Sequence, residues 1–280
     1  MTQSAATKRT IGSIAGTVVL VGAGKMGGAL LDGWLRLGLN PRKTVVLDPQ
    51  PAKGIAALKR RGLRLNPAGK TIGHAAVIVL AIKPQSAPEV LPTLLPMLGV
   101  KTVVVSIMAG RPIRFLERAL PGAAIVRAMP NSPAAIGRGI TVACPNARVS
   151  ANQRALAHKL LAATGAVEWV NDEALMDAVT AVSGSGPAYV FLLAEALAKA
   201  GQAAGLPGPL ADKLARATVA GAGELLHRSE LDAATLRSNV TSPGGTTAAA
   251  LEVLMGEGGL EPLLTKAVMA ATKRGRELAG

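Results

Sequence analysis

Short, uninterrupted runs of β-branched and aliphatic residues alternate with Ala- and Leu-rich segments up to about residue 170. The strongest runs are residues 17–21, 44–47, 77–82 and 102–105, and weaker runs lie around 124–127 and 140–143. Strands that are apolar on both faces belong to a parallel sheet covered by helices on both sides. The alternation therefore predicts an α/β domain with a mostly parallel sheet over residues 17–170, after a loose N-terminal tail at residues 1–16.

The pattern changes at about residue 171, where long helical windows replace the short runs. These windows are separated by Gly and Pro and cover residues 187–200, 209–226, 246–255 and 262–278. The charge changes at the same point, since residues 1–170 carry +17 and residues 171–280 carry −3 of the total of +14. A length of 280 residues suits two domains. We therefore expect a second, all-α domain over residues 171–280.

Composition excludes several classes of protein. An apolar content of 49% with 17% charged residues excludes dominant disorder, and 2% aromatic residues argue against stacking on nucleic-acid bases. Cys144 is the single cysteine, which excludes an intrachain disulfide and suits a cytoplasmic location. The longest uncharged stretch, residues 178–194, holds a Ser-Gly-Ser-Gly-Pro sequence and is shorter than a bilayer span. We therefore expect no transmembrane helix, no membrane partner and, without metal-ligand spacing, no metal site.

The first predicted strand leads directly into a Gly-x-Gly-x-x-Gly turn, Gly22-Ala23-Gly24-Lys25-Met26-Gly27, which opens a helical window at 26–37. Gly22 permits the tight turn, Gly24 lets the backbone approach a pyrophosphate, and Gly27 lets the helix pack closely on the strand. The N-terminus of the helix adds unpaired N–H groups and a positive potential. This context predicts a dinucleotide-binding turn.

Asp48 ends the second predicted strand, where an acidic side chain can accept hydrogen bonds from the adenosine ribose. That role favours NADH. Arg42, Lys43 and Lys53 lie nearby in sequence and could pair with the 2′-phosphate of NADPH. A solvent-facing Asp48 is a third interpretation, so the coenzyme remains NADPH or NADH.

Two further strand ends carry candidate coenzyme contacts. Lys83 follows the third strong run, in Leu-Ala-Ile-Lys-Pro-Gln with Ala81 and Pro84 beside it, in the crevice where open parallel sheets bind ligands. An ordinary solvated lysine is the alternative there. Ala109 lies in a run of small residues after the fourth strand, which would let a flat ring lie close to the backbone.

The helical half contains a polar lead into a helix, Thr241-Ser242-Pro243-Gly244-Gly245-Thr246-Thr247. Its two glycines expose backbone N–H groups, and its two threonines place hydroxyls at the start of the helix. This segment can hold a carboxylate and offer a hydroxyl to a neighbouring atom. Plain helix capping would account for one threonine but not for the glycine pair.

Taken together, these segments resemble the pyrroline-5-carboxylate reductases over nearly the whole chain from residue 18 onward. The shared blocks are the glycine turn at 22–27, Leu-Ala-Ile-Lys-Pro-Gln at 80–85, Arg-Ala-Met-Pro-Asn-Ser-Pro-Ala at 127–134, Asp-Ala-Val-Thr at 177–180, Ser-Gly-Ser-Gly-Pro-Ala-Tyr-Val-Phe at 183–191 and Ser-Pro-Gly-Gly-Thr-Thr at 242–247. The resemblance implies a Rossmann domain followed by an all-α dimerisation domain. It also implies a homodimer through interleaved helices, with larger rings such as a decamer of dimers.

The resemblance further implies the last step of proline biosynthesis, hydride transfer from NAD(P)H to the C=N carbon of 1-pyrroline-5-carboxylate. It assigns the substrate carboxylate to the loop formed by Ser242, Gly244, Gly245 and Thr246. It assigns to Thr247 a hydrogen bond with the ring nitrogen, and it places Glu230 near the substrate pocket. The sequence departs from the family pattern at Met108, where a small residue is usual, at Ala181, where glycine is common, and in the Asp48-Pro49-Gln50 stretch, which bears on coenzyme preference.

Two other functions fit parts of the sequence. A 3-hydroxyacid dehydrogenase shares the two-domain plan but needs a lysine in the helix after residue 186, and no lysine occurs there before Lys199. A regulator that senses a dinucleotide and binds nucleic acid through the basic half would need a recognition motif, and no helix-turn-helix or zinc-finger pattern occurs. We therefore expect a small-molecule substrate and no nucleic-acid partner.

Overall fold

A computed structural model describes residue 11 and residues 14–279 of the chain. One eight-stranded sheet contains all the strands of the described part. The strands are β1 Thr17–Val21, β2 Thr44–Leu47, β3 Arg64–Leu65, β4 Ala75–Leu80, β5 Val103–Ser106, β6 Ala124–Met129, β7 Gly139–Pro145 and β8 Gly165–Trp169. Their order is β3-β2-β1-β4-β5-β6-β7-β8, and every neighbouring pair is parallel except β6 with β7. The predicted mostly parallel sheet is confirmed.

Helices connect the strands and then make up the rest of the chain. The first six are α1 Lys25–Arg36, α2 Lys53–Ala57, α3 Ala87–Val90, α4 Ile113–Ala119, α5 Ala151–Leu161 and α6 Met176–Val179. The last five are α7 Gly186–Ala203, α8 Gly208–Arg228, α9 Ala233–Asn239, α10 Thr246–Leu254 and α11 Leu260–Ala279. The sequence-based helical windows thus match α7, α8, α10 and α11, and the predicted all-α region is confirmed.

Both faces of the sheet are buried, as its continuous apolar strands require. Along β1, Val18 and Leu20 join the apolar cluster on one face, whereas Val19 and Val21 join the cluster on the other. Trp34 of α1 is fully buried, and its indole Nε1–H donates to the carbonyl of Leu160 in α5 at 2.9 Å. The core on each face of the sheet is therefore completed by helices that connect the strands of the same sheet.

Some elements differ from the sequence-based expectation. Strand β4 covers Ala75–Leu80 rather than residues 77–82, so Ala81 and Ile82 belong to the loop that follows. Strands β3 and β8 were not expected, because β3 has only two residues and none of the five residues of β8 is buried, with Ala166 and Glu168 exposed. Neither strand forms the continuous apolar run on which the expectation rests.

The chain forms two compact units, and they divide at Gly184 rather than at residue 170. The first unit contains the described residues up to Gly184 and those from Thr272 onward, and the second is Ser185–Ala271. Residues 171–184 belong to the first unit because Arg127 of β6 pairs with Glu173 at 2.8 Å. The last turns of α11 return to it, with Thr272 buried and Gly275 beside Asp177.

Part of the expected N-terminal tail also belongs to the first unit. Ile11 and Ile14 are buried in its core, and the backbone N–H of Ile11 donates to the carbonyl of Leu37 at 2.8 Å. A tail over residues 1–16 is therefore wrong for these two positions, because isolated isoleucines gave no periodic signal. Residues 1–10, 12 and 13 of that expected tail lie outside the described residues.

One helical segment, Glu173–Ala203, is long and apolar enough to cross a membrane by length and composition. We did not expect such a segment, because Ser183–Pro187 interrupts the apolar run. A π-helical turn at Thr180–Gly184 instead carries the helical path through this interruption. A single segment of this kind is weak support for a membrane span, since helices that pack against protein have the same composition.

Candidate active site

Four strands end at the same edge of the sheet, and their loops are joined there by backbone hydrogen bonds. The N–H of Gly22 after β1 donates to Leu47 of β2 at 2.8 Å, and the N–H of Ala81 after β4 donates to Val21 at 2.7 Å. The N–H of Ile107 after β5 donates to Leu80 at 3.0 Å. The loops that hold the predicted coenzyme residues therefore start together, at the carboxyl edge where ligands of parallel sheets bind.

The glycine turn has the shape that an approach by phosphate requires. Gly22 has φ +86°, and a Cβ there would lie 2.6 Å from the carbonyl oxygen of Ala81. A Cβ on Gly27 would overlap the carbonyl oxygen of Gly22, so this residue lets α1 pack against the turn. At Gly24, by contrast, no atom lies within 4 Å of such a Cβ. The open space at Gly24 is where a ligand can contact the backbone.

The first turn of α1 is suited to an anion. Gly24 occupies the N-cap position and supplies no capping side chain, and the first turn of the helix has no acidic residue. Lys25 is exposed and Met26 is half-buried there. The N-terminal N–H groups and the positive end of the helix dipole thus remain for a pyrophosphate.

Asp48 lies directly after β2 and is bonded to the glycine turn. Its Oδ2 accepts the N–H of Ala23 at 2.6 Å, and its Oδ1 accepts the N–H of Gln50 at 2.8 Å. The residue is half-buried, and both carboxylate oxygens are bonded to backbone N–H groups, which disfavours the solvent-facing interpretation. Each carboxylate oxygen can accept one further hydrogen bond, so the residue can still receive ribose hydroxyls.

The loops after β4 and β5 are tied to each other. Lys83 and Ala109 are exposed, and Pro84 is half-buried. Arg111 donates from Nε and Nη2 to the carbonyl of Pro84, at 3.3 and 3.2 Å, and its guanidinium lies 4.6 Å from the ring centroid of Phe115. The predicted contacts on the two loops are thereby held at a fixed separation. Sequence analysis did not single out Arg111, because a loop arginine carries no motif.

Met108 and Ala181, two of the three departures from the family pattern, are both buried. Met108 is 2% exposed and belongs to the apolar cluster on one face of the sheet, and Ala181 lies within the π-helical turn. Met108 therefore packs into the core, whereas the neighbouring Ala109 is exposed.

The predicted substrate residues lie in the second unit, at the start of α10. Gly244 has φ +69°, which favours glycine, and the N–H of Gly245 donates to the carbonyl of Ser242 at 3.0 Å to close the turn. Gly245 is the N-cap of α10, with no side-chain cap and no acidic residue in the first turn. Ser242 and Thr246 are exposed and Thr247 is half-buried. This helix start can therefore receive a carboxylate.

Glu230 is exposed in the connection between α8 and α9. The residue after that connection, Asp232, caps α9 by accepting the N–H of Thr235 at 2.7 Å, and this hydrogen bond lowers the pKa of its carboxyl group. Asp232 thus has a structural role as a helix cap. Glu230, two residues earlier, makes no capping hydrogen bond in the described contacts.

Arg127, in the Arg-Ala-Met-Pro-Asn block, is a buried structural residue of the first unit. Glu173 Oε1 accepts both from Arg127 at 2.8 Å and from the N–H of Ile113 at 2.8 Å, where α4 begins. Nearby, burial raises the pKa of the Cys144 thiol, the Glu173 carboxylate raises it further, and Arg127 opposes both. Within the described residues no group of three or more His, Cys, Asp or Glu side chains could hold a metal ion.

Two family models match the chain. The model described as pyrroline-5-carboxylate reductase dimerisation matches residues 173–278, and the model described as NADP oxidoreductase, coenzyme F420-dependent, matches residues 17–110. The first of these models begins where the helical pattern begins, and the second covers the strands from β1 to β5. The glycine turn, Asp48, Lys83 and Ala109 fall in the second of these models, and Ser242–Thr247 fall in the first.

Curated relatives and solved structures agree with these models. The pyrroline-5-carboxylate reductase of Pseudomonas aeruginosa is 40% identical over 266 residues, which cover 94% of this chain and 96% of that protein. The structure of a pyrroline-5-carboxylate reductase from Coxiella burnetii has a TM-score of 0.88 at 34% identity and covers 95% of this chain and 100% of that chain. The Plasmodium falciparum enzyme with NADP bound has a TM-score of 0.78 at 29% identity and covers 94% and 98% of the two chains. On this identity over nearly its full length, the chain belongs to the pyrroline-5-carboxylate reductase family.

Proposed function

We propose that the protein reduces 1-pyrroline-5-carboxylate to L-proline with NADPH or NADH as the hydride donor. The observation that carries this proposal is the pair of uncapped helix starts, at α1 behind the glycine turn and at α10 behind the Ser-Pro-Gly-Gly-Thr-Thr loop. Both starts can bind anions, and they belong to different units. A pyrophosphate and a carboxylate are the two anionic groups that this reaction brings together.

The first unit binds the coenzyme. Gly22, Gly24, Lys25, Met26 and Gly27 receive the pyrophosphate, which the open space at Gly24 accommodates. Asp48 accepts the adenosine ribose hydroxyls. The remaining contacts, on the loops after β4 and β5, are Ala81, Lys83, Pro84 and Ala109. When bound, the reduced nicotinamide supplies the hydride.

The second unit binds the substrate. The loop of Ser242, Gly244, Gly245 and Thr246 holds the carboxylate through backbone N–H groups and hydroxyls. Thr247 hydrogen-bonds the ring nitrogen, and Glu230 lies near the pocket. These roles orient the ring so that its C=N carbon can accept the hydride.

The chemistry needs little acid–base assistance from the protein. The ring nitrogen of the cyclic imine is protonated before reaction, so its C=N carbon is already electrophilic. Addition of a hydride to that carbon moves the π electron pair of the C=N bond onto the nitrogen, which keeps its proton and becomes the ring amine. The main tasks of the chain are therefore to align the carbon and to hold the carboxylate and the nitrogen in place.

We propose a homodimer formed through the helical unit, which assembles further into a ring. The exposed apolar side chains of α7, including Val190, Phe191 and Leu192, support a second copy as the surface that covers them. The same contact would account for the apolar composition of Glu173–Ala203 without a membrane. We assign the protein to the cytoplasm, with no nucleic-acid or membrane partner and no metal.

Thr247 offers a direct test of the site. Thr247→Ala should lower kcat with 1-pyrroline-5-carboxylate by about tenfold to a hundredfold, because it removes a hydrogen bond to a charged nitrogen. Thr247→Ser keeps a hydroxyl and should restore most of kcat. The affinity for the reduced coenzyme, measured by fluorescence titration, should stay the same in both variants.

The control is Thr93→Ala, which removes an exposed hydroxyl that bonds the carbonyl of Val90 in the first unit. It should leave kcat and coenzyme affinity unchanged. An unaltered kcat in Thr247→Ala would remove this residue from the mechanism.

A further inference from the structure

Asn66 forms a reciprocal pair of hydrogen bonds with the backbone of Asp48. Its Oδ1 accepts the N–H of Asp48 at 2.8 Å, and its Nδ2 donates to the carbonyl of Asp48 at 2.7 Å. The backbone N–H of Asn66 donates to Val46 of β2 at 2.9 Å, which extends the pairing of β2 with β3 by one step. One side chain therefore holds both backbone polar groups of the residue that follows β2.

The backbone of Asn66 is strained. Its φ of +48° is the only positive value at a non-glycine position within the described residues. Asparagine tolerates this left-handed conformation better than most residues, but the proline that follows restricts it further. Strain of this kind persists where surrounding contacts impose it, and it is concentrated at functional sites. The contacts that accompany it here are the two hydrogen bonds with Asp48 and the backbone hydrogen bond to Val46.

The reciprocal hydrogen bonds between Asn66 and Asp48 help to fix the Asp48 carboxylate against the glycine turn. The backbone of Asp48 is held by Asn66, and its side chain is held by the N–H groups of Ala23 and Gln50. A carboxylate with no freedom to turn away accepts ribose hydroxyls at this position and repels a phosphate there. Lys53 is exposed at the start of α2, and its side chain makes no ion pair in the described contacts.

We propose that Asn66 is a positioning residue that determines coenzyme preference: by holding the Asp48 carboxylate at the glycine turn, it makes the chain favour NADH over NADPH. This inference rests on the proposed coenzyme site in the first unit. It concerns only the end of that site where Asp48 accepts the adenosine ribose. Its test requires neither the imine substrate nor the residues of the second unit.

The test measures the dissociation constants of NADH and NADPH by fluorescence titration of the full-length protein, without substrate. The unaltered protein should bind NADH more tightly. Asn66→Ala should shift the ratio of the two constants towards NADPH by about fivefold, the effect of releasing one fixed charge from beside a phosphate. Asn66→Gly should give the same shift while relieving the backbone strain, so it serves if the alanine variant fails to fold.

Thr71→Ala is the matched control. Thr71 is also exposed and also bonds a backbone group, donating to the carbonyl of Ala68 at 2.7 Å, but this hydrogen bond does not involve Asp48. This variant should leave the ratio unchanged. Asp48→Asn, which removes the charge itself, should shift the ratio in the same direction as the Asn66 variants.

Two results would overturn the inference while leaving the proposed function intact. One is tighter binding of NADPH by the unaltered protein, and the other is an equal loss of affinity for both coenzymes in the Asn66 variants, which is the result of a purely structural role. Failure of the unaltered protein to bind either coenzyme would overturn the proposed function together with this inference.

Discussion

The two units use apolar residues in opposite ways. In the first unit, large side chains such as Leu20 and Trp34 are fully buried between the sheet and its helices. In the second unit, Phe191 is 64% exposed and Leu192 62% exposed, whereas the buried residues of α7 and α8 are the small Ala198, Ala211 and Ala215. A sheet with its own crossover helices completes a core within one chain. The helices of the second unit leave much apolar surface exposed, and this is the surface that we propose a second copy covers.

The largest effect on the molecule is expected from a charge placed on the exposed apolar face of α7. Phe191→Asp should dissociate the proposed homodimer, because an interface that buries apolar side chains does not tolerate an unpaired carboxylate. Sedimentation equilibrium should then give the mass of one chain, 28.3 kDa, where the unaltered protein gives a multiple of it.

The matched substitution in the first unit is Val100→Asp. Val100 is also an exposed apolar residue, but it lies in the loop before β5 rather than on a helix face. This variant should keep the mass of the unaltered protein. Equal masses for Phe191→Asp and the unaltered protein would show that α7 is not the face that a second copy covers.

Smaller effects are expected on the free energy of unfolding, and they should differ between the two units. Leu20→Ala removes a fully buried side chain of β1 and should lower the free energy of unfolding by about 2–5 kcal/mol, at every protein concentration. Leu193→Ala removes a half-exposed side chain of α7, so its cost should depend on protein concentration, because its contacts come from association. Urea unfolding at two protein concentrations distinguishes the two behaviours. A concentration-independent loss in Leu193→Ala would mean that the helical unit completes its own core.

The difference between the units also explains what the sequence could predict. Continuous apolar runs such as Val18–Val21 fit only a strand that is covered on both faces, so they predict the sheet. The tight turn at residues 22–27 also followed from its pattern, because Gly22 and Gly27 are required by close backbone contacts. Residues that act through one side-chain contact gave no comparable signal. Asn66 and Arg111 carry no motif, and their partners Asp48 and Pro84 are distant in sequence.

The boundary between the units was harder to predict for a similar reason. The charge and the periodicity both change near residue 171, but the buried pair of Arg127 and Glu173 keeps the next residues with the first unit. The final turns of α11 return to that unit, although their sequence continues a helix that begins in the other. Local pattern identifies a helix but not the unit against which each of its turns packs.

We propose that the chain transfers a hydride from a reduced nicotinamide coenzyme, bound by the first unit, to the C=N carbon of 1-pyrroline-5-carboxylate. The measurement that tests it most directly is the initial rate of coenzyme oxidation by the purified protein with 1-pyrroline-5-carboxylate, run with NADH and with NADPH beside a ketoacid control. We predict rapid oxidation with the imine and none with the ketoacid. Oxidation with the ketoacid alone, or no oxidation in protein that still binds the coenzyme, would contradict the account.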